Sequence, residues 1–140
     1  MEIKKLSSTF FLPLTFVAAL LTAGAWATQS LLHKDFMSLE KAEKRWGKDP
    51  FIAEKFKSGN ELARAKMAVS LISSKAYIDK PLSSVRKELG DPDGYFENDG
   101  IPAYIISPES NTGKELWQII FIPDEKWERV KEVRIHKNCC

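Results

Sequence analysis

Two carboxylates stand one residue apart in the stretch "LGDPDGYF", residues 89–96, beside a proline and a glycine. Asp91 and Asp93 are the residue types that bind metal ions or transfer protons. A calcium loop needs further oxygen ligands in a D-x-D-x-D-G pattern, and the sequence does not continue in that way. Each residue suits a turn instead: Asp91 leads it and accepts backbone N–H bonds, Pro92 pre-sets a type I geometry, and Gly94 ends it. We interpret Gly90 to Gly94 as a structural turn.

The remaining residues whose side chains could act in catalysis or metal binding do not form a recognisable catalytic set. His33 and His136 have no cysteine or carboxylate at the spacing of a metal site or a triad. The serines considered as nucleophiles are Ser73, Ser74, Ser107 and Ser110, and none lies in a Gly-x-Ser-x-Gly elbow. The sequence also has no glycine-rich phosphate loop. The sequence therefore predicts a protein that is not an enzyme and needs no metal and no cofactor.

The two cysteines, Cys139 and Cys140, are the last residues of the chain. A disulfide between adjacent residues lies outside the usual Cα separation, and the sequence contains no other cysteine. Two readings stay open. The pair is a frayed tail with incidental thiols, or, in an oxidising compartment, it links two chains into a homodimer.

Residues 1–27 have the pattern of a secretory signal peptide. Lys4 and Lys5 form the charged start, an apolar run extends from Phe10 to Leu21, and residues 25–27 read Ala-Trp-Ala, a small-x-small cleavage pattern. The alternative is an uncleaved membrane anchor, but the run is short for a spanning helix and contains Pro13. We therefore predict export to the periplasm, with secretion or peripheral attachment to the envelope as the alternative.

The charge of the chain is nearly balanced. The net charge is +2 for all 140 residues, and loss of residues 1–27 lowers it only to about +1. Because no basic face is clustered, a nucleic-acid partner is not expected. Residues 28–140 have the size of one modest domain. We divide them into a mobile or peripherally packed helical segment (28–59), an α+β domain (60–138) and the Cys-Cys tail (139–140).

Helical spacing and capping residues predict two short helices in the first segment. Ser38 can cap one that stops at Gly47, and Asp49 can cap another that has Pro50 at its first position and ends at Gly59. Both are rich in lysine and glutamate and have thin apolar faces, so we expect them to pack peripherally.

Two more helices are predicted in the α+β domain. Asn60 can cap the longest helix of the chain, whose apolar face is predicted to contain Leu62, Ala65, Ala68, Val69 and Ile72. A very short helix follows, with a stripe of Leu82, Val85 and Leu89. Ser83 or Ser84 can cap its start, and Gly90 suits the left-handed residue past its end.

After residue 94 the hydrophobic period changes from helical to alternating. "YFENDGIPAYIIS" predicts two strands around an Asp-Gly turn, with Pro102 placing the second strand at an edge. "ELWQIIFIP" is apolar on both faces, as a central strand would be, and "VKEVRIH" alternates Val133 and Ile135 with polar residues. We predict an α+β fold with two or more short helices on one face of a three- to four-stranded antiparallel sheet.

The aromatic residues of the strands and turns are the strongest candidates for binding. A sheet with helices on one face leaves its other face open, and exposed tyrosine and tryptophan dominate binding hot spots. The candidate protein-binding residues are Tyr95, Tyr104, Trp117, Phe121 and Trp127. For Trp117 and Phe121 a place in the core is an equal alternative.

The run "KMAVSLISSKAYIDKPLSSVRKELGDPDGYF", followed by "YII", "LWQIIFI" and "VKEVRI", resembles the SmpA/OmlA, or BamE-like, domain family. The fold of that family is shared by the beta-lactamase inhibitor protein class. The shared pattern is a helix, a second helix that ends in Leu-Gly-x-Pro-Asp, and a sheet built from hairpins. Val85, Leu89, Gly90, Pro92 and Asp93 carry it here, and the likeness covers roughly residues 61–136.

The resemblance implies a protein that binds another protein in envelope integrity or outer-membrane protein assembly. The best-known member is a lipoprotein, and this chain has no cysteine at residue 28, so membrane association is expected to be indirect. The alternative is a secreted inhibitor of an extracytoplasmic enzyme, which would insert the tips "ENDG" and "PDEKWE" into a cleft. In a third reading, residues 28–59 dock intramolecularly and leave no open face.

Overall fold

A computed structural model describes residues 36–106 and 115–138, all of which belong to one unit, Leu32–Cys140. The predicted signal peptide (1–27), His33, Ser107, Ser110 and the terminal Cys139 and Cys140 lie outside the described residues.

One antiparallel sheet contains all four strands that the described residues form. The strands are β1 (Phe36–Met37), β2 (Ala103–Ile105), β3 (Leu116–Pro123) and β4 (Val130–Asn138), in the order β1-β4-β3-β2. The predicted α+β class and the central position of β3 are therefore confirmed. As predicted, Pro102 lies at the start of an edge strand, immediately before β2. Its carbonyl accepts a hydrogen bond from Phe121 N, and a proline is tolerated at the start of an edge strand because its missing N–H costs no hydrogen bond of the sheet.

Four helices precede or separate these strands in the described residues, and five of their predicted ends are confirmed, at Ser38, Gly47, Gly59, Asn60 and Gly90. The helices are α1 (Leu39–Trp46), α2 (Ala53–Ser58), α3 (Glu61–Ser73) and α4 (Leu82–Leu89). The Ser38 hydroxyl accepts from Lys41 N at the start of α1 (3.3 Å), and the Asn60 side chain accepts from Ala63 N at the start of α3 (2.9 Å). Gly90 ends α4 at φ 86°, where its N–H donates to Arg86 O.

Two predicted helix starts are wrong because long-range bonds replace local caps. Helix α2 begins after Ile52 rather than after Asp49, whose backbone N–H donates to the Lys66 carbonyl of α3 (2.8 Å). Helix α4 has no serine cap; the N–H of Leu82 donates to the carbonyl of Glu128, next to β4 (3.0 Å). Neither partner is close in sequence.

The strand predicted before Asn98 is also absent. Residues 91–101 are irregular, with a single bridge between Phe96 and Asn98 and a positive φ of 56° at Glu97. The reason is that both backbone groups of Tyr95 bind the side chain of Gln118 on β3 instead of a neighbouring strand.

Helices α1 and α2 pack into the core rather than at its periphery. Ala42 and Phe56 are fully buried, Trp46 is nearly so, and all three belong to the main core cluster. Their faces are thin, but one large aromatic side chain per helix is enough to anchor it, since such a side chain buries a large apolar area. On α3 the predicted core face is confirmed for Ala65, Ala68 and Val69, and Ile72 packs against the core, but Leu62 is 41% exposed and the unpredicted Met67 is buried.

Five aromatic side chains form a closed ring at the centre of the core. Each ring meets its two neighbours edge to face, at centroid distances between 5.6 and 6.1 Å, the favoured geometry for aromatic pairs. This aromatic ring cluster consists of Phe51, Phe56, Tyr104, Phe121 and Tyr77. It joins the helix layer to the sheet.

Both hydroxyl groups of this cluster have hydrogen-bond partners. Tyr77 donates to Glu88 Oε2 (2.8 Å) and Tyr104 donates to the carbonyl of Gly90 (2.7 Å). Burial raises the pKa of both phenols far above the ordinary value. The two tyrosines therefore stay neutral, and both hold the C-terminal end of α4 against the core.

Candidate functional site

Part of the sheet face opposite the helices is covered by the chain itself. Register places Gln118, Ile120 and Ala103 on this face, away from the core cluster, yet all three are fully buried. The segment that follows α4 crosses over them, and the Gly94 N–H donates to the Ala103 carbonyl (2.9 Å). The expectation of an open sheet face is therefore wrong over this part of the sheet, because residues 93–101 occupy it.

Gln118 holds the covering segment in place. Its Oε1 accepts from Tyr95 N (3.1 Å), and its Nε2 donates to the Tyr95 carbonyl (2.7 Å) and lies 3.4 Å from His136 Nδ1. The Phe96 ring packs edge-on against His136 at 4.7 Å. A fully buried amide with its donor and acceptor both used fixes the segment in one position, since any displacement would leave buried polar groups unpaired.

The Asp-Pro-Asp-Gly turn protects the exposed edge of β2. Asp93 Oδ1 accepts from Ile105 N (2.9 Å), and its Oδ2 binds Arg64 Nη1 (2.6 Å). The same guanidinium lies 3.5 Å from the Ile105 carbonyl and donates through Nε to the carbonyl of Phe56. The carbonyl of Ala103 and both backbone groups of Ile105 point away from β3 and have partners here, so residues 93 and 94 obstruct the edge on which another strand could pair.

The contacts of the paired carboxylates differ from the predicted ones. Asp93, and not Asp91, accepts a backbone N–H, that of Ile105, and the Gly94 N–H donates to the Ala103 carbonyl rather than back to Asp91. The reading of residues 90–94 as a structural turn stays a prediction. Among residues 36–106 and 115–138, no group of three or more His, Cys, Asp or Glu side chains is arranged to hold a metal ion.

Gly94 has no room for a side chain. A Cβ there would lie 2.5 Å from Gln118 Oε1 and 3.1 Å from the Ala103 backbone. We expect Gly94→Ala to lower the free energy of unfolding by about 1–3 kcal/mol, the usual cost of overpacking, as measured by urea denaturation. Asp91→Ala in the same turn is the control and should change stability by less than about 0.5 kcal/mol. Equal effects of the two substitutions would contradict the close approach.

Two of the predicted binding residues are exposed on a single loop surface. We define the loop surface as residues 95–101 together with Trp127 of the β3–β4 turn. Tyr95 is 53% exposed and Trp127 is 51% exposed. The Tyr95 hydroxyl donates to the Glu97 carbonyl (2.7 Å), and a Cβ on Gly100 would lie 3.3 Å from Trp127 Cζ3. Both aromatic side chains thus rest on the same short loop.

Several hydrogen bonds give this loop surface a defined shape. Arg86 of α4 donates to the Asp99 carbonyl (2.7 Å), and Gly100 N donates to the Asn98 side chain (2.8 Å). In the β3–β4 turn, Asp124 Oδ1 accepts from the backbone N–H groups of Glu128 and Arg129. These bonds, with that of Glu128 the strongest, lower the pKa of Asp124. The carboxylate consequently stays ionised and holds the turn that carries Trp127.

The other three predicted binding residues belong to the core. Tyr104 and Phe121 are fully buried, and Trp117 is 8% exposed. All three point toward the helix layer, because register aligns Tyr104 with Ile119, and Trp117, Ile119 and Phe121 share one face of β3. We therefore correct Tyr104 from a binding candidate to a core residue, and of the two alternatives for Trp117 and Phe121 the structure has the core.

A groove on the helix layer was not predicted from the sequence. It has a volume of about 460 Å³ and lies between the segment that leads into α2 and the outer face of α3. Ile52 and Leu62, both more than 40% exposed, line it beside Lys55 and Lys66. The i, i+4 spacing of Leu62 and Lys66 indicated that these two side chains are neighbours on α3. The helical spacing of the apolar residues predicted Leu62 on the core face instead.

Comparison of the chain with protein-family models, with curated proteins and with solved structures finds no match. The resemblance to the SmpA/OmlA family therefore stays a prediction. In the described part of the chain, no helix is both long enough and apolar enough to cross a bilayer.

Proposed function

We propose that this chain is a non-catalytic protein-binding domain that contacts its partner through the loop surface. The observation that carries the proposal is the conformation of Trp127. Its φ is 59°, a region that is unfavourable for a bulky residue, and half of its side chain is exposed. Neither burial nor backbone geometry accounts for tryptophan at this position. Strained residues of this kind cluster at binding sites, where the strain is offset by function.

The setting of Trp127 supports the same proposal. Tyr95 lies on the same loop surface, and Glu97 within it also has a positive φ. Tyrosine and tryptophan supply large contact area at low entropic cost, and a loop held by Gln118 and Arg86 is largely preorganised for binding. A partner would thus meet a shaped surface instead of ordering a flexible one.

The proposed place of action is the bacterial envelope, in outer-membrane protein assembly or envelope integrity. This part rests on the signal-peptide pattern of residues 1–27 and on the resemblance of residues 61–136 to the BamE-like family. The protein would be exported and periplasmic, and its contact with membranes would be indirect, through its protein partner.

An inhibitor of an extracytoplasmic enzyme is the second candidate function. One observation favours it: the tips "ENDG" and "PDEKWE", which are distant in sequence, meet where Trp127 covers Gly100. Two loops joined into one projecting surface are suited to a cleft. Fractionation separates the candidates, since an inhibitor would be recovered with a soluble exported enzyme and an envelope factor with outer-membrane assembly proteins.

We expect Trp127→Asn to weaken partner binding by about tenfold or more, the usual cost of truncating an aromatic hot spot. Asparagine tolerates positive φ, so the free energy of unfolding should change by less than about 1 kcal/mol. The measurement is cross-linking of the tagged full chain in its own cells, followed by titration of the captured partner. Lys126→Ala, in the same turn, is the matched control. Wild-type affinity of both Trp127→Asn and Tyr95→Ala would rule out the loop surface.

A further inference from the structure

The groove of the helix layer has the properties of a second, independent binding site. Two of the four exposed large hydrophobic side chains of the described residues, Ile52 and Leu62, line it. The other two, Tyr95 and Trp127, belong to the loop surface. The groove lies in the helix layer, whereas residues 93–101 cover the opposite face of the sheet, so one partner need not contact both.

The walls of the groove are held in place by the backbone. Asp49 N donates to the Lys66 carbonyl (2.8 Å), which ties the segment that leads into α2 directly to α3. Phe51, beside Ile52, is anchored in the aromatic ring cluster through Phe56 and Tyr77. The exposed aliphatic side chains therefore stand on a preformed surface rather than on a loose segment.

The charge at the rim identifies the kind of occupant. Lys55 and Lys66 line the groove together with one acidic side chain, Asp49, and neither lysine makes an ion pair with another described residue. A groove with an apolar floor and an excess of positive charge complements a segment that carries aliphatic side chains next to carboxylates. The groove lies on the helix layer, away from the sheet edges, and an apolar groove between helical segments suits the mode in which an amphipathic helix docks with its apolar face.

We propose that this groove binds an acidic amphipathic helix of another protein, with aliphatic side chains of that helix on Ile52 and Leu62 and carboxylates beside Lys55 and Lys66. Contact with both aliphatic residues would need side chains at i, i+3 or i+4 on one face of the partner helix. The chain would then join two partners, one at each side of its sheet.

The test uses a fluorescent amphipathic peptide with leucines at helical spacing and flanking glutamates, and a second peptide in which lysines replace the glutamates. Anisotropy titration against the full chain should show binding of the acidic peptide and much weaker binding of the basic one. The double substitution Lys55→Glu and Lys66→Glu should weaken binding of the acidic peptide by about tenfold or more. It should also allow the basic peptide to bind. Combined Lys41→Glu and Lys87→Glu, which makes the same charge change outside the groove, should have no effect.

The hydrophobic part of the site has its own variant. Leu62→Gln keeps a good helix former at an exposed position and should also weaken the acidic peptide by about tenfold. Amide chemical shifts should move at Ile52, Leu62 and Lys66 and not at Tyr95 or Trp127, which separates this proposal from the loop surface. The proposal is overturned by absence of binding, by equal binding of both peptides, by a groove that accepts only a fatty acid such as laurate, or by self-association that Leu62→Gln abolishes.

Discussion

Replacing Phe121 by alanine is expected to lower the free energy of unfolding by about 3–5 kcal/mol, the range for a buried aromatic side chain. Phe121 is fully buried and lies between Tyr77 (5.6 Å) and Tyr104 (5.8 Å). Its removal opens the aromatic ring cluster at the point where the sheet meets the helices. Since total stability of a domain is only about 5–15 kcal/mol, much of the protein would unfold at a modestly raised temperature.

Equilibrium denaturation followed by circular dichroism measures this effect. Phe121→Leu is the matched control, because a smaller apolar side chain keeps most of the burial and should cost less than the alanine variant. A Phe121→Ala protein of wild-type stability that had lost its partner would show that the side chain acts at an interface, and would contradict its place in the core.

Gln118→Leu is expected to lower the free energy of unfolding by about 2–4 kcal/mol, although leucine is apolar and of similar size. The substitution removes the only described side chain that binds both backbone groups of Tyr95, and each buried group left unpaired costs about 1–3 kcal/mol. Residues 94–101 should lose their attachment to the sheet, so the effect should be local as well as global.

Hydrogen exchange distinguishes this local effect from general destabilisation. We expect the amides of residues 94–101 to exchange much faster in Gln118→Leu, while those of β4 keep relatively more protection. Tyr95→Ala is the control, because it deletes an exposed side chain and leaves the backbone bonds to Gln118 intact. If the amides of residues 94–101 exchange at the same rate in both variants, Gln118 does not anchor the segment. That result would also contradict the preorganised loop surface on which the proposed function depends.

Local patterns in the sequence account for most of the secondary structure. Ser38, Asn60 and Gly90 act at helix ends as predicted, and alternation correctly placed Val133 and Ile135 in the core of the sheet. These features depend on capping, glycine conformation and hydrophobic period, which act over a few residues. The α+β class follows from their order along the chain.

Tertiary contacts decided where the candidate sites are. The starts of α2 and α4 depend on bonds from Asp49 to Lys66 and from Leu82 to Glu128, and the lost strand before Asn98 depends on Gln118. One clue was readable: a single glutamine in the apolar run "LWQIIFI" indicates a buried polar contact, but its partner could not be read from the same run.

The sequence by itself determined most of the helices, the two central strands and their order along the chain, because these depend on neighbouring residues. Only the tertiary structure decided that residues 93–101 cover part of the second face of the sheet, and that Tyr104, Trp117 and Phe121 are buried while Tyr95 and Trp127 remain exposed. An aromatic residue has the same local signature in a core and at an interface. A core aromatic residue differs from an interface one only in the segments that pack over it, and here those segments come from distant parts of the sequence.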